Sequence, residues 1–317
     1  MQHRDFAGYG ESPPRADWPA GARVAVSLVL NVEEGSERAI SRGDPCNEPV
    51  YDMLDEINDQ PNLTMESHFD YGTRAGYWRI LRVLEKHAAT CTLNACAEAL
   101  ARSPWLGQDA LRRGYEISCH GYRWETPLGM SEDQERNWIA EAVATIEDVC
   151  GVRPVGWHCR CPHTPNTRRL LVEHGGFLYD SDAYDDDLPR VVEIGGHHHV
   201  VLPYSLDTND MRFQRPEAGF VRAKDFADYV IDAFDWLWEE GATVPKMMTI
   251  GLHLRIIGRP GRIAGLDRAL THMTAKGSVW FARRDEIAKH WLRMHGDQPS
   301  RPLASPTQPP RHQGKHR

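Results

Sequence analysis

The stretch EISCHGYRWETP, residues 116–127, ends an apolar run at His120 and sets Trp124 four residues on, where a second histidine would complete a metal-binding pair. Polar residues close other apolar runs in the same way. Asn31 stands at the end of RVAVSLVLNV with Glu33 and Glu34 after it, and Arg160 and His163 follow PVGWH. Asp180 and Asp182 follow GFLY; Asp207, Asn209 and Asp210 follow VVLPYSL; His253 closes MMTIGLHL. Histidines and carboxylates can move protons or ligate a metal, and arginine and amide groups can hold a polar substrate. The question is which of the two chemistries this set performs.

Such residues need elements that bring run ends together. Short apolar runs alternate with helical periodicity, which predicts an α/β architecture. The run 23–32 is continuous and β-branched, as expected of a strand buried on both faces. Further strands are predicted near 89–95, before His120, at GVRPVGWHC, near 177–180, 199–204 and 246–253. Helices are predicted near 75–87, 97–113, 131–150, after Pro165, and at 223–239, 261–274 and 283–294. A long polar loop separates the first strand from the first helix. Ser131 and the acidic residues after it make a good helix start, and Gly175-Gly176 a stop. Strand–helix units without a dividing linker imply one barrel-like domain over 1–295, where catalytic groups collect at the C-terminal ends of strands. The Pro-rich polar segment 296–317 is expected to be disordered.

Composition narrows the function classes. The 317 residues carry 45 acidic against 37 basic side chains, a formal charge of −8, spread without blocks. That excludes a polybasic nucleic-acid or membrane surface. No apolar run approaches the roughly 20 residues that span a bilayer, and residues 1–21 show no apolar leader, so a cytoplasmic protein is expected. The seven cysteines are read as core or loop thiols; Cys159 and Cys161 form a lone C-x-C, a weak zinc signal. No phosphate loop, dinucleotide fingerprint or G-x-S-x-G nucleophile elbow is present. Cys119 beside His120 makes a poor nucleophile–base pair, because neighbouring strand residues face opposite sides.

From about residue 5 to 294 the chain resembles the NodB-homology polysaccharide deacetylase superfamily, and within it the metal-independent bacterial allantoinases. The resemblance rests on RDFAGYGESPPRADWP, LVLNVEEGSER, MESHFDYGTRAGYWRILRVLEKH, EISCHGYRWE, GGFLYDSDAYDDDLP, LPYSLDTNDMRF and IGLHLRIIGRPGRIAGLDR. It implies a distorted (β/α) barrel with fewer than eight repeats, often oligomeric. Metal-dependent relatives bind zinc through an Asp after the first strand and an H-x-x-x-H pair. Here those positions read Asn31-Val32-Glu33 and His120…Trp124. Glu33 and His120 alone fall short of the three protein ligands of catalytic zinc. No metal and no other cofactor are therefore expected, although His163 or Cys161 could complete a zinc set.

The resemblance implies a hydrolase that opens a cyclic amide, allantoin to allantoate above all, with a small molecule as its partner and no nucleic acid. Glu33 or His120 would activate water and His253 would protonate the leaving nitrogen. Arg160 would hold a carbonyl oxygen, and Asp207 and Asn209 would read substrate N–H groups. Asn31, Glu34, His163 and Trp124 complete the expected binding set, Trp124 as a wall able to stack on a flat ring. One departure bears on substrate choice. The allantoinase strand ending GWY leads to a shorter loop, whereas here the sequence runs GWHCRCPHT, with Arg160 displaced. Another hydantoin, imide or lactam is thus an alternative substrate. A zinc-dependent N-deacetylase and an inactive binding homologue are the rival readings.

Overall fold

The computed structural model describes residues 6–50, 57–215, 217 and 219–296; the tail expected to be disordered falls, from residue 297 on, outside them. Among these residues nine strands share one sheet: β1 (Val24–Val32), β2 (Thr92–Ala95), β3 (Glu116–Cys119), β4 (Gly156–Trp157), β5 (Tyr179–Asp180), β6 (Arg190–Ile194), β7 (His197–Val201), β8 (Lys246–His253) and β9 (Val279–Phe281). The spatial order is β6-β7-β5-β4-β3-β2-β1-β8. Every pairing is parallel except the β6–β7 hairpin at one edge. The sheet curls into the distorted barrel of the predicted class, with fewer than eight repeats. β1 runs at its heart: β8 pairs with it from Val24 to Asn31, while β9 and β2 divide its other edge. All nine β1 residues are buried.

The helices are α1 (Leu63–Tyr71), α2 (Tyr77–Lys86), α3 (Ala97–Arg102), α4 (Pro104–Arg112), α5 (Glu132–Cys150), α6 (Thr167–His174), α7 (Ala223–Glu240), α8 (Pro260–Lys276) and α9 (Arg284–His295). Ser131 caps α5 in a reciprocal box with Gln134. The helix predicted over 97–113 is two, broken at Ser103. Pro104 cannot donate an intrahelical bond but suits the first position of the next helix. The predicted polar loop contains α1, whose start is capped by Asn62 accepting from Met65 N–H at 3.0 Å. A π-helical turn, Gly72–Gly76, joins α1 to α2.

Those two glycines hid the helix from a propensity reading, and packing explains them. A Cβ at Gly72 would run into the Glu34 carboxylate, and one at Gly76 into the Leu254 carbonyl. Glycine therefore lets this turn press against the ends of β1 and β8. No helix among the described residues is long and apolar enough to cross a membrane.

Candidate active site

The C-terminal ends of β1, β3, β4 and β8 open into a cavity of about 220 Å³. Because β1 and β8 are in register at Asn31 and His253, the residues just past each end meet across the opening. Glu33 is the hub. Its Oε1 lies 3.3 Å from His253 Nε2 and 3.5 Å from His120 Nε2, and its Oε2 lies 2.7 Å from an Arg255 guanidinium nitrogen. All four side chains are almost fully buried. Burial alone would raise the Glu33 carboxyl, but Arg255 and His253 hold it well below the usual carboxylate range.

His253 is fixed from its other side. Its Nδ1 donates to Asp210 Oδ1 at 2.6 Å, and Asp210 Oδ2 accepts the backbone N–H groups of His253 and Ile257 at 2.8 and 3.0 Å. Burial pulls this imidazole down, yet Glu33 and Asp210 outweigh it and lift the pKa to about 9. His253 is thus an imidazolium at neutral pH, with Nε2–H toward the cavity. On His120, Nδ1 meets the His158 carbonyl. A carbonyl can only accept, so Nδ1 carries a proton toward it, and Nε2 faces Glu33 and the cavity.

A second histidine–aspartate pair lines the same cavity. His158 Nδ1 lies 2.9 Å from Asp182 Oδ1, and the His158 ring stacks on Tyr204 at 4.3 Å. Here burial wins over Asp182 and lowers the histidine from its ordinary value. His158 therefore stays neutral.

With this geometry in view, the chain can be set beside known proteins. A polysaccharide deacetylase family model matches residues 58–175. A Schizosaccharomyces pombe protein assigned by name to the polysaccharide deacetylases is 35% identical, over 92% of this chain and 98% of its own. The chain belongs to the polysaccharide deacetylase family. A solved structure of PuuE allantoinase is 46% identical with a TM-score of 0.88, covering 92% of this chain and 98% of its own. A Pseudomonas aeruginosa structure, named as a polysaccharide deacetylase, matches equally well: 46% identity, TM-score 0.88, and coverage of 93% and 99%. The peptidoglycan deacetylase of Helicobacter pylori is 25% identical over 71% of this chain and 86% of its own. Deacetylases and allantoinase alike cleave carbon–nitrogen bonds with water, and this chain is a hydrolase of that family.

The family's metal site can be tested on these residues. Among the described residues no group of three or more His, Cys, Asp or Glu side chains is arranged to hold a metal ion. The Glu33 oxygen that could ligate is shared by two histidines, and the other is paired with a guanidinium. Trp124 stands where the second histidine of the pair would be, with the Arg160 guanidinium 4.0 Å above its ring. These residues do not fit a zinc centre: positive charge beside Glu33 comes from Arg255 and His253 instead.

Of the expected site residues, Asn31, Glu33, His120, Trp124, Arg160, Asn209 and His253 line the cavity. Glu34, His163 and Asp207 do not. Glu34 opens a turn after β1 and stays beside Glu33, its Oε1 3.7 Å from the Arg255 nitrogen that pairs with Glu33. Its Oε2 accepts the Glu33 N–H at 3.0 Å, its other oxygen lies against Gly72, and burial, opposed by Arg255, lifts its carboxyl to about 7. Asp207 is exposed and bonds Ser205, because the chain turns at Asn209 into a short 3₁₀ helix, Asp210–Gln214, that sends Asp210 inward instead. His163 is half-buried beyond the cavity. Arg160 reaches the cavity with its guanidinium already held by Glu48, at 2.7 and 3.0 Å, and by the Trp124 carbonyl at 3.0 Å. That pairing holds the guanidinium in place and leaves its remaining N–H groups for other acceptors.

Four contributors were not singled out from the sequence: Arg255, His158, Tyr204 and Asn94. Asn94 donates to Asn31 Oδ1 at 3.0 Å and lies 2.9 Å from His120 Nδ1. A usable signal existed for Asn94, a lone amide inside the buried run TLNA, and for Arg255, two residues past His253 at a strand end.

Proposed function

We propose that the chain hydrolyses small ring amides without a metal, allantoin to allantoate being the leading reaction. One observation carries this: the Nε2 atoms of two histidines, one of them an imidazolium, converge on a single carboxylate oxygen whose partner oxygen is paired with arginine. A carboxylate held well below its usual range is a weak proton acceptor, so Glu33 orients the two histidines and keeps His253 charged rather than serving as base. His120 Nε2 takes the proton of water as its oxygen bonds to the ring carbonyl carbon. The carbonyl π pair moves to oxygen. On collapse the ring C–N bond breaks and its electron pair takes the proton of His253 Nε2–H. The new acid loses its proton to solvent, and the two histidines exchange protons with solvent to reset.

Likeness to PuuE allantoinase supports the ring-amide substrate. The equal likeness to the Pseudomonas protein supports a second reading, cleavage of an N-acetyl group from a sugar. His158 in place of the tyrosine of the allantoinase GWY pattern supports a ring other than allantoin as a further arm. The deciding experiment is turnover by the purified protein of allantoin, other hydantoins, cyclic imides and N-acetyl sugars, with metal content measured on the same sample. Ring-amide turnover that survives chelation is expected. N-acetyl sugar turnover lost on chelation and restored by Zn²⁺ would overturn the proposal.

A further inference from the structure

Tyr204 follows β7, and its backbone is firmly held. Its N–H donates to the Ala183 carbonyl at 2.8 Å, while the preceding Pro203 carbonyl accepts from Thr249 at 3.0 Å and from Arg284 at 3.1 Å. Its hydroxyl sits in the cavity wall, where two amides meet it: Asn31 Nδ2 at 3.0 Å and Asn209 Nδ2 at 3.3 Å. Neither amide can be turned round. Asn31 Nδ2 also donates to the Leu252 carbonyl at 3.3 Å, and Asn31 Oδ1 accepts from Asn94. Asn209 Oδ1 accepts the Met211 N–H at 2.8 Å. Both amides are therefore donors to Tyr204, and together they fill the two acceptor sites of its oxygen. Its own proton finds no acceptor among the described residues. Space for this arrangement comes from Gly251, where a Cβ would stand 2.5 Å from the hydroxyl and from Asn209 Nδ2.

A hydroxyl whose oxygen receives two hydrogen bonds is polarised into a stronger donor. Arg255 lines the same cavity and is ion-paired with Glu33 at 2.7 Å, and the His253 proton goes to the leaving nitrogen in the proposed reaction. We propose that Tyr204 is a catalytic residue, its O–H donating to the carbonyl oxygen that becomes anionic as water adds. This rests on the hydrolytic reading above.

The test compares wild type, Tyr204→Phe and a Tyr204→3-fluorotyrosine variant on a ring amide and on its thiocarbonyl analogue, whose sulfur is a weak acceptor. On the oxygen substrate Tyr204→Phe is expected to lower kcat by about 10²–10³-fold, the usual loss of one oxyanion donor, with KM little changed. On the thiocarbonyl analogue most of that loss should vanish. A merely structural tyrosine would cost both substrates equally, and that result, or undiminished kcat, would overturn the proposal. Should Tyr204→Phe fail to fold, the fluorotyrosine variant, which keeps both hydrogen bonds from Asn31 and Asn209, decides: its kcat should respond to phenol acidity on the oxygen substrate alone, and an equal response on both overturns the role. If wild type cleaves only N-acetyl sugars, the ring-amide reading falls, and the same comparison is run on that amide and its thioamide. Wild type cleaving neither class overturns both.

Discussion

His253 and His158 are both buried, both bonded through Nδ1 to an aspartate, and both line one cavity, yet they hold opposite charge states. His253 is lifted to about 9, whereas His158 is lowered. The aspartate cannot be the cause, since each has one. Burial opposes charge at both, and at His253 a second carboxylate, Glu33, tips the balance; at His158 the neighbours beyond Asp182 are His120 and Arg284, which push the same way as burial. A histidine–aspartate pair thus fixes orientation and tautomer, and the next charge out decides whether the imidazole is an acid or a neutral acceptor.

The most damaging way to break this contrast is His253→Ala. Removing the imidazolium that faces Glu33 is expected to lower kcat by about 10²–10⁴-fold, the range for a lost general acid, as read from steady-state kinetics. Next comes Glu33→Gln, which should make His253 resemble His158. Wild-type activity should fall as pH rises through about 9, when His253 loses its proton. In the variant that alkaline limb should move down toward the ordinary histidine value, and a limb that stays near 9 would remove Glu33 as the cause.

The same contrast has a stability consequence. His253 binds its proton more tightly folded than unfolded, its pKa being about 9 against 6.5. Its contribution is therefore complete below pH 6.5 and is lost as pH rises through about 9. Urea midpoints should fall across that window in wild type, and less steeply in Glu33→Gln. The smallest effect is expected from Asp182→Asn. It weakens the hydrogen bonds from His158 and Cys159 and should cost about 1–3 kcal/mol in urea unfolding. The alkaline limb should stay in place, because His158 is neutral already.

The sequence made the strand ends legible because polarity breaks an apolar run wherever a strand reaches the cavity. Asn31, Glu33, His120 and His253 are all of that kind. Their partners were less visible, for three physical reasons. Asp207 and Asp210 follow the same run, and only the cap at Asn209 determines which of them turns inward. Glu33 and Glu34 look equivalent on paper, but the turn that begins at Glu34 leaves only Glu33 in the cavity wall. Tyr204 and His158 belong to short strands and their extensions, where periodicity gives no face. In the fold, the barrel class and most helices were readable. The β6–β7 hairpin, β9 and α1 were not, because β6, β9 and α1 have short or glycine-flanked patterns that gain their shape from what they pack against.

The charge states of the two histidines can be read directly from ¹⁵N chemical shifts of their ring nitrogens in histidine-labelled protein, titrated from about pH 6 to 10. His253 should hold both ring protons until about pH 9, while His158 should stay neutral with its proton on Nδ1 throughout. A His253 that titrates near 6.5, or two histidines that titrate together, would contradict the account.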